Sequence, residues 1–152
     1  MVDTTNAVDR ETVIDQLNQL IHLDFDAIAA YEAAIERLSS PHYQQSLRGF
    51  RDDHQRHTQN LADYVRQLGG TPATSGDYKK VLTKGLVIIA GLGNDHSILE
   101  AMHTNENQTN ALYEKALQKL ASDPEVSQLL RRNLEDERRH RDWIVATLDS
   151  MR

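Results

Sequence analysis

The stretch NLEDERRHRDWI, residues Asn133 to Ile144, combines a helical pattern with ionisable residues at positions that should face a core. It contains no Gly or Pro and is rich in residues that favour helices. Apolar positions around it recur at spacings of three and four, and Glu137 and His140 lie on the same stripe. Burying a carboxylate beside an imidazole is costly unless a ligand compensates both groups. Because Glu-x-x-His pairs are also common on exposed helix faces, this pair predicts a metal site only if three other helices bring matching groups to the same height.

Composition and charge indicate the class of protein to which the chain belongs. The 152 residues are 39% apolar and 26% charged, with two Phe and one Trp, which indicates a single all-helical domain over 1–152. A net charge of −6 argues against a nucleic-acid partner. The chain has no cysteine, which excludes disulfides, cysteine zinc sites and cysteine-ligated iron–sulfur clusters. With a polar start and no long apolar run, we expect a cytoplasmic protein that does not cross a membrane.

Helix-start and helix-stop signals divide the chain into four long helices. Ser40-Pro41 and Asp123-Pro124 each combine a capping residue with a proline suited to a first turn, and Gly69-Gly70 ends the helix before it. These signals predict helices over 10–38, 41–68, 95–121 and 124–150. The connection over 69–94 is the longest, and its segment from Tyr78 to Ala90 is predicted to form a short extra helix.

Each predicted helix has ionisable residues where its apolar stripe should bury a hydrophobic one. These residues are Asp24, His54 and His57, Glu106 with His103 one turn before it, and Glu137 with His140. Counted from the two hairpin turns at about 1.5 Å per residue, all but His103 lie roughly 21–25 Å along their helices. The pattern therefore brings these groups to one level, and every one of them is a type of side chain that binds divalent metals.

The two halves of the chain resemble each other, which indicates how the helices pair. The segment Tyr31–Ile35 matches Tyr113–Leu117 at an offset of 82, and the pair His54–His57 falls on Glu137–His140 at an offset of 83. Each half is a helical hairpin with a polar step in the middle of its stripe. Two such hairpins joined by a long crossover form an antiparallel four-helix bundle, so the predicted fold class is all-α.

The same residues also fit a metal-free interpretation. Polar residues in a helical stripe can form a satisfied hydrogen-bond network that fixes the register of a bundle. Six inward ionisable groups would be costly to bury without a counter-charge, so we favour metal binding. Elemental analysis of the purified and reconstituted protein separates the two hypotheses.

At these residues the sequence resembles the ferritin-like superfamily, in particular rubrerythrin-type and related bacterial ferritin-like domains, over Val13 to Leu148. The pattern of that superfamily is an acid on the first and third helices and Glu-x-x-His on the second and fourth. The resemblance implies a ferritin-like bundle whose core binds metal. It implies as metal ligands Asp24, His57, Glu106, Glu137 and His140. It also implies hydrogen bonds to the metal-binding carboxylates from Tyr31 and Tyr113.

The sequence departs from that pattern mainly at the second helix. His54 stands where the family has a glutamate that usually bridges two irons, and Asp24 is one methylene shorter than Glu. His103 would add a further nitrogen, so the ligand set is richer in nitrogen than a standard di-iron site. The sequence leaves open whether three nearby acids join the site, namely Asp53, Glu32 and Glu114.

The function implied by this resemblance is that of a non-haem metal protein. Two iron ions are the expected cofactor, with zinc or manganese as alternatives. The expected chemistry is oxidation of Fe(II) or reduction of O₂ or peroxide, so these small molecules are the expected partners besides the metal ions. The alternative is a non-enzymatic bundle, with a structural zinc, another metal or none, in a stress-associated or interaction role. We also expect a homodimer, because ferritin-like bundles commonly pair.

Overall fold

In the part of the chain that the structure describes, four long helices make up the bundle. The computed structural model describes residues 9–75, 89 and 91–152. Its helices are α1 (Arg10–Arg37), α2 (Pro41–Gln67), α3 (Asp95–Lys119) and α4 (Pro124–Ser150). The predicted all-α class is confirmed. The short helix predicted from Tyr78 to Ala90 lies outside the described residues except for Ile89, which is buried in the core.

Side chains just before each helix satisfy the backbone N–H groups of its first turn. These capping residues are Asp9, Ser40, Asn94 and Asp123. Pro41 and Pro124 follow two of the caps at positions where no N–H group is needed. Helix α2 ends at Gln67. Gly69, two residues later, has a φ of +82° that suits glycine, and the Gly70 N–H donates to the Val65 carbonyl at 2.9 Å.

The helices pair as two hairpins that dock along α1 and α3. Within the hairpins α1 packs on α2 and α3 packs on α4, and the contact between α2 and α4 is the least extensive. The Asp95 carboxylate at the start of α3 accepts hydrogen bonds from the N–H groups of Ser39 and Ser40, at 2.7 and 3.1 Å. The turn between α1 and α2 is thereby fastened to the second hairpin.

Two apolar clusters fill the core, one towards each end of the bundle. Leu47 of α2 and Leu99 of α3 belong to the first cluster, and Leu61 of α2 and Leu130 of α4 belong to the second. Each of these leucines is fully buried, which stabilises the fold by about 1.5–3 kcal/mol per side chain. Between the clusters the buried residues are polar, and most of them are ionisable. The apolar packing on both sides therefore fixes the height at which the four helices present their polar residues.

Among the described residues, none of the helices combines the length and apolar character that crossing a bilayer requires.

Candidate metal centre

Six ionisable side chains from all four helices meet at mid-height of the bundle, each with at most 1% of its surface exposed. Their donor atoms form two groups of four, and within each group the atoms lie within 4.8 Å of one another. Group one consists of Asp24, His54, His57 and Glu137. Group two consists of His54, Glu106, Glu137 and His140. The fold thus brings together six of the seven residues that the sequence singles out as candidate ligands.

In group one, carboxylates of α1 and α4 face the histidines of α2. Asp24 Oδ1 lies 2.7 Å from His54 Nδ1 and 3.3 Å from His57 Nδ1. Glu137 Oε1 lies 3.3 Å from the same His57 nitrogen. The group therefore offers two oxygens and two nitrogens to one point in the core.

Group two has the same composition on the side of the second hairpin. His54 Nε2 lies 3.5 Å from Glu106 Oε1 and 3.3 Å from Glu137 Oε2. His140 Nδ1 lies 3.4 Å from Glu106 Oε1 and 3.7 Å from Glu137 Oε2. Again two oxygens and two nitrogens converge.

The spacing of these donor atoms fits a bound metal ion. Two atoms that ligate one ion at about 2.1 Å stand about 3.0–3.4 Å apart at octahedral to tetrahedral angles. The oxygen–nitrogen separations in the two groups run from 2.7 to 3.7 Å. Both Glu137 oxygens and His140 Nδ1 are buried without a hydrogen-bond partner among the described residues, which is costly. A divalent cation would satisfy all three atoms.

His57 and His140 each turn one ring nitrogen into the cluster and the other away from it. His57 Nε2 donates to Asp136 Oδ2 at 2.9 Å, and His140 Nε2 donates to Asp53 Oδ2 at 2.7 Å. A carboxylate at Nε2 selects the tautomer that leaves Nδ1 free for a metal, and it raises the basicity of that nitrogen. These two acids therefore orient the imidazoles towards the centre.

Two arginines hold the outer acids in place. Arg56 reaches Asp53 and Asp136 at 3.0 and 2.8 Å, and Arg139 reaches both acids at 2.8 Å. The sequence leaves the role of Asp53 open, and Asp136 is not among its predicted site residues. The spacing Asp-x-x-Arg-His occurs on both α2 and α4 at an offset of 83, and this repeat is the signal that could have revealed both acids.

The two tyrosines connect the hairpins through the carboxylates. The Tyr31 hydroxyl of α1 donates to Glu106 Oε1 of α3, and the Tyr113 hydroxyl of α3 donates to Asp24 Oδ2 of α1 at 2.6 Å. Burial and the neighbouring carboxylates raise the pKa of both tyrosines well above 10, so both remain donors. Thr109 adds a hydrogen bond to the second Glu106 oxygen at 3.1 Å. Asp24 is therefore held through Oδ2 while its Oδ1 faces the centre, and Glu106 Oε1 accepts from Tyr31 while it also faces the centre.

The carboxylates of the cluster also keep its histidines basic. Burial lowers the pKa of all three imidazoles, but the surrounding acids outweigh it and raise the values to about 10 for His54, about 11 for His57 and about 9 for His140. For His54 the largest raising effect is the charge of Glu137. A metal ion that binds to these nitrogens must therefore displace protons.

His103 is not part of either group. Its side chain is partly exposed, and its Nε2 lies 3.4 Å from Asn107 Nδ2 on the same helix. The residue that faces the core one turn before Glu106 is Met102, which is fully buried. Residues three or four positions apart lie on the same face of a helix, and here the residue that shares the inward face with Glu106 is the one four positions before it. The acids that follow the two tyrosines are exposed and also lie outside both groups, namely Glu32 and Glu114.

Replacing Asp53 by Asn tests the role of the outer acids. The variant keeps the size of the side chain but removes the charge that orients His140. We expect zinc to bind roughly 10- to 100-fold more weakly, with an unchanged number of ions per chain, as measured by isothermal titration calorimetry. The control is Asp52→Asn, because that neighbouring carboxylate is exposed and contacts Arg51. Equal affinities in the two variants would contradict the role.

Comparison with solved structures identifies the type of bundle. The dodecameric thioferritin of Bacteroides fragilis, a bacterioferritin-related protein, aligns with a TM-score of 0.79 and 19% identity over 95% of this chain and 88% of its own. A ferritin-like, diiron-carboxylate protein of Bacillus anthracis aligns with a TM-score of 0.72 and 25% identity over 93% and 99%. Dps of Staphylococcus aureus aligns with a TM-score of 0.77 and 14% identity over 93% and 98%. These similarities confirm the predicted ferritin-like fold.

Sequence comparison gives the family. No protein with a curated description matches the chain. Residues 12–119 match the family described as a domain of unknown function, DUF2383. The matched region includes Asp24, His54, His57 and Glu106, whereas Glu137 and His140 lie beyond it on α4. The chain has the ferritin-like fold and belongs to the DUF2383 family.

Proposed function

We propose that this protein binds two metal ions in the bundle core, one in each group, and that the metal is iron. The observation that supports this most directly is the pair of buried four-donor groups that share Glu137, whose oxygens are otherwise unsatisfied among the described residues. Three carboxylates and three imidazoles without a thiolate suit iron better than soft metals. The description of the Bacillus anthracis protein as diiron-carboxylate supports the same choice of metal.

The activity that fits the site is oxidation of Fe(II) coupled to reduction of O₂ or peroxide. Iron bound there would supply the electrons that reduce the oxidant. The six candidate ligands are at most 1% exposed, so the site admits small oxidants and excludes larger organic substrates. Phe50 stacks on His140 with ring centroids 4.3 Å apart, and Trp143 lies 5.5 Å beyond Phe50. These two aromatic side chains exclude water from the His140 imidazole.

The residues around the ligands keep the carboxylates and imidazoles in position throughout such a reaction. Tyr31 and Tyr113 hold the acids of α3 and α1, and Asp53 and Asp136 hold the imidazoles of His140 and His57. Fixed ligands need little rearrangement when the charge at the centre changes. Because the chain has no cysteine, it carries no cysteine-ligated iron centre for electron delivery, and an external reductant must return the site to its reduced form.

Rapid mixing of the Fe(II)-loaded protein with air-saturated buffer or with peroxide tests the activity. We expect the absorbance of ferric iron to rise several-fold faster than with the same concentration of free Fe(II). Asp24→Asn removes a ligand charge from group one and should reduce the rate, whereas Asp15→Asn on the exposed face of the same helix should not. If wild-type protein oxidises Fe(II) no faster than buffer does, the oxidase proposal fails.

The nitrogen-rich ligand set favours one alternative, a structural metal site. With His54 in place of a carboxylate, the cluster contains three imidazoles, a donor type that zinc also accepts. A protein of this kind would gain thermal stability from zinc and show no oxidation of Fe(II). The mixing experiment above separates the two proposals.

A further inference from the structure

Two residues belong to both groups, and each divides its donor atoms between them. Glu137 directs Oε1 towards His57 in group one and Oε2 towards His140 in group two, at 3.3 and 3.7 Å. His54 places Nδ1 2.7 Å from Asp24 in group one and Nε2 3.3 Å from Glu137 Oε2 in group two. Asp24, by contrast, belongs to group one alone. Each shared side chain, one a carboxylate and the other an imidazole, therefore faces both groups with a different donor atom.

We propose that His54 bridges the two metal ions, with Nδ1 bound to the ion of group one and Nε2 bound to the ion of group two. This inference rests on the proposed function, because it requires two bound ions. A neutral imidazole has one N–H bond and one free lone pair. The acids around His54 raise its pKa to about 10, so the free side chain is an imidazolium with a second N–H bond. When both nitrogens bind metal, both N–H bonds break, each electron pair forms a metal–nitrogen bond, and two protons leave to the solvent. The bridge is therefore an imidazolate.

The charges of the cluster favour this form of His54. Two divalent ions carry four positive charges, whereas the carboxylates of Asp24, Glu106 and Glu137 supply three negative ones. The two outer acids add nothing to this sum, because Arg56 and Arg139 pair with them. An uncompensated charge in the core is costly. An imidazolate at His54 supplies the fourth negative charge without any further ligand.

The internal repeat points to the same role. His54 occupies on α2 the position that Glu137 occupies on α4, at an offset of 83, so the fold aims both side chains at the middle of the cluster. His57 and His140 are related in the same way, but their outer nitrogens are occupied by Asp136 and Asp53. Of the three clustered histidines, His54 is the one whose two nitrogens both face candidate ligands of the centre.

Copper is a suitable probe for the bridge, because Cu(II) binds strongly to nitrogen and oxygen ligands and its unpaired electron is directly observable. We would load the intact protein with Cu(II), count the bound copper by elemental analysis and integrate the electron paramagnetic resonance signal at low temperature. An imidazolate bridge couples the two spins antiferromagnetically. We expect two coppers per chain and an integrated signal far below the copper content.

Two variants of His54 assign the coupling to this residue. In His54→Ala and His54→Gln we expect either two uncoupled coppers, with a signal equal to the copper content, or a single copper. His54→Gln keeps the size and polarity of the buried side chain, so it remains informative if the alanine variant does not fold. The control is His103→Ala on α3, which removes a histidine outside both groups and should leave the coupling as in wild type.

The outcomes separate this inference from the proposed function. Wild-type protein that binds one copper or two uncoupled coppers overturns the bridge while metal binding stands. Coupling that persists in a His54 variant overturns the bridge as well, since Glu137 or solvent would then carry it. A wild-type protein that binds no copper or iron would overturn both the bridge and the proposed two-ion centre.

Discussion

Replacing Glu137 by Gln is expected to abolish binding of both metal ions. Glu137 is the one carboxylate that belongs to both groups, so the variant removes a charged ligand from each of them. We expect a loss of affinity larger than the roughly 10- to 100-fold that removal of an outer hydrogen-bond partner costs. Elemental analysis after loading with Fe(II) under anaerobic conditions should find two irons per wild-type chain and close to none in the variant.

The control for this substitution lies on the same helix. Glu135 is exposed and belongs to neither group, so Glu135→Gln changes the net charge equally and should keep both ions. If Glu137→Gln still binds two irons with wild-type affinity, this residue is not a ligand. The assignment of the shared position would then be wrong, whatever the fold of the bundle.

Metal loading is expected to raise the melting temperature of the wild-type protein strongly. A ligand that binds the folded state alone stabilises it by about 4 kcal/mol when its concentration is 1,000 times its Kd. In a domain of this length each kcal/mol shifts the Tm by about 2–4 °C, so we expect a rise of about 8–16 °C. Thermal unfolding followed by circular dichroism, with and without excess Zn(II), measures this shift.

The size of the rise should depend on pH in a defined direction. The pKa values of His57 and His140 are raised from 6.5 to about 11 and about 9, so protons compete with the metal throughout the neutral range. The stabilisation by metal should therefore grow as the pH increases from 6.5 to 9. A constant shift over this range, or an equal shift in Glu137→Gln, would contradict binding at these histidines.

The fold and most of the cluster could be predicted because helical periodicity and the internal repeat both indicate which residues lie on the inward faces of the helices. The stripe gives each helix its inward face, and an ionisable residue on that face, such as Asp24 or Glu106, stands out against apolar neighbours. Equal distances from the hairpin turns then place these residues at one height. Neither argument requires knowledge of the side-chain conformations.

The parts that could not be predicted depend on rotation about the helix axis. Asp53 precedes His54 by one residue and is turned by about 100°, so the stripe alone places it off the core. Its contact with His140 exists because α2 and α4 lie side by side, which the sequence does not specify at this level of detail. The choice between Met102 and His103 depends on the same rotation. Relative to Glu106, Met102 lies about 40° to one side of the helix axis and His103 about 60° to the other, and a sequence pattern does not separate two such similar offsets.

The distribution of donors between the hairpins has a consequence for the order of binding. The first hairpin supplies three members of group one but only His54 to group two, while the second supplies three members of group two but only Glu137 to group one. Whichever ion arrives first therefore clamps the hairpins together and immobilises the residue that the second ion also needs. The conformational entropy of the two hairpins is lost when the first ion binds, so the second ion binds without that cost. The protein should therefore pass from the metal-free form to the form with two ions, with little of the one-ion form.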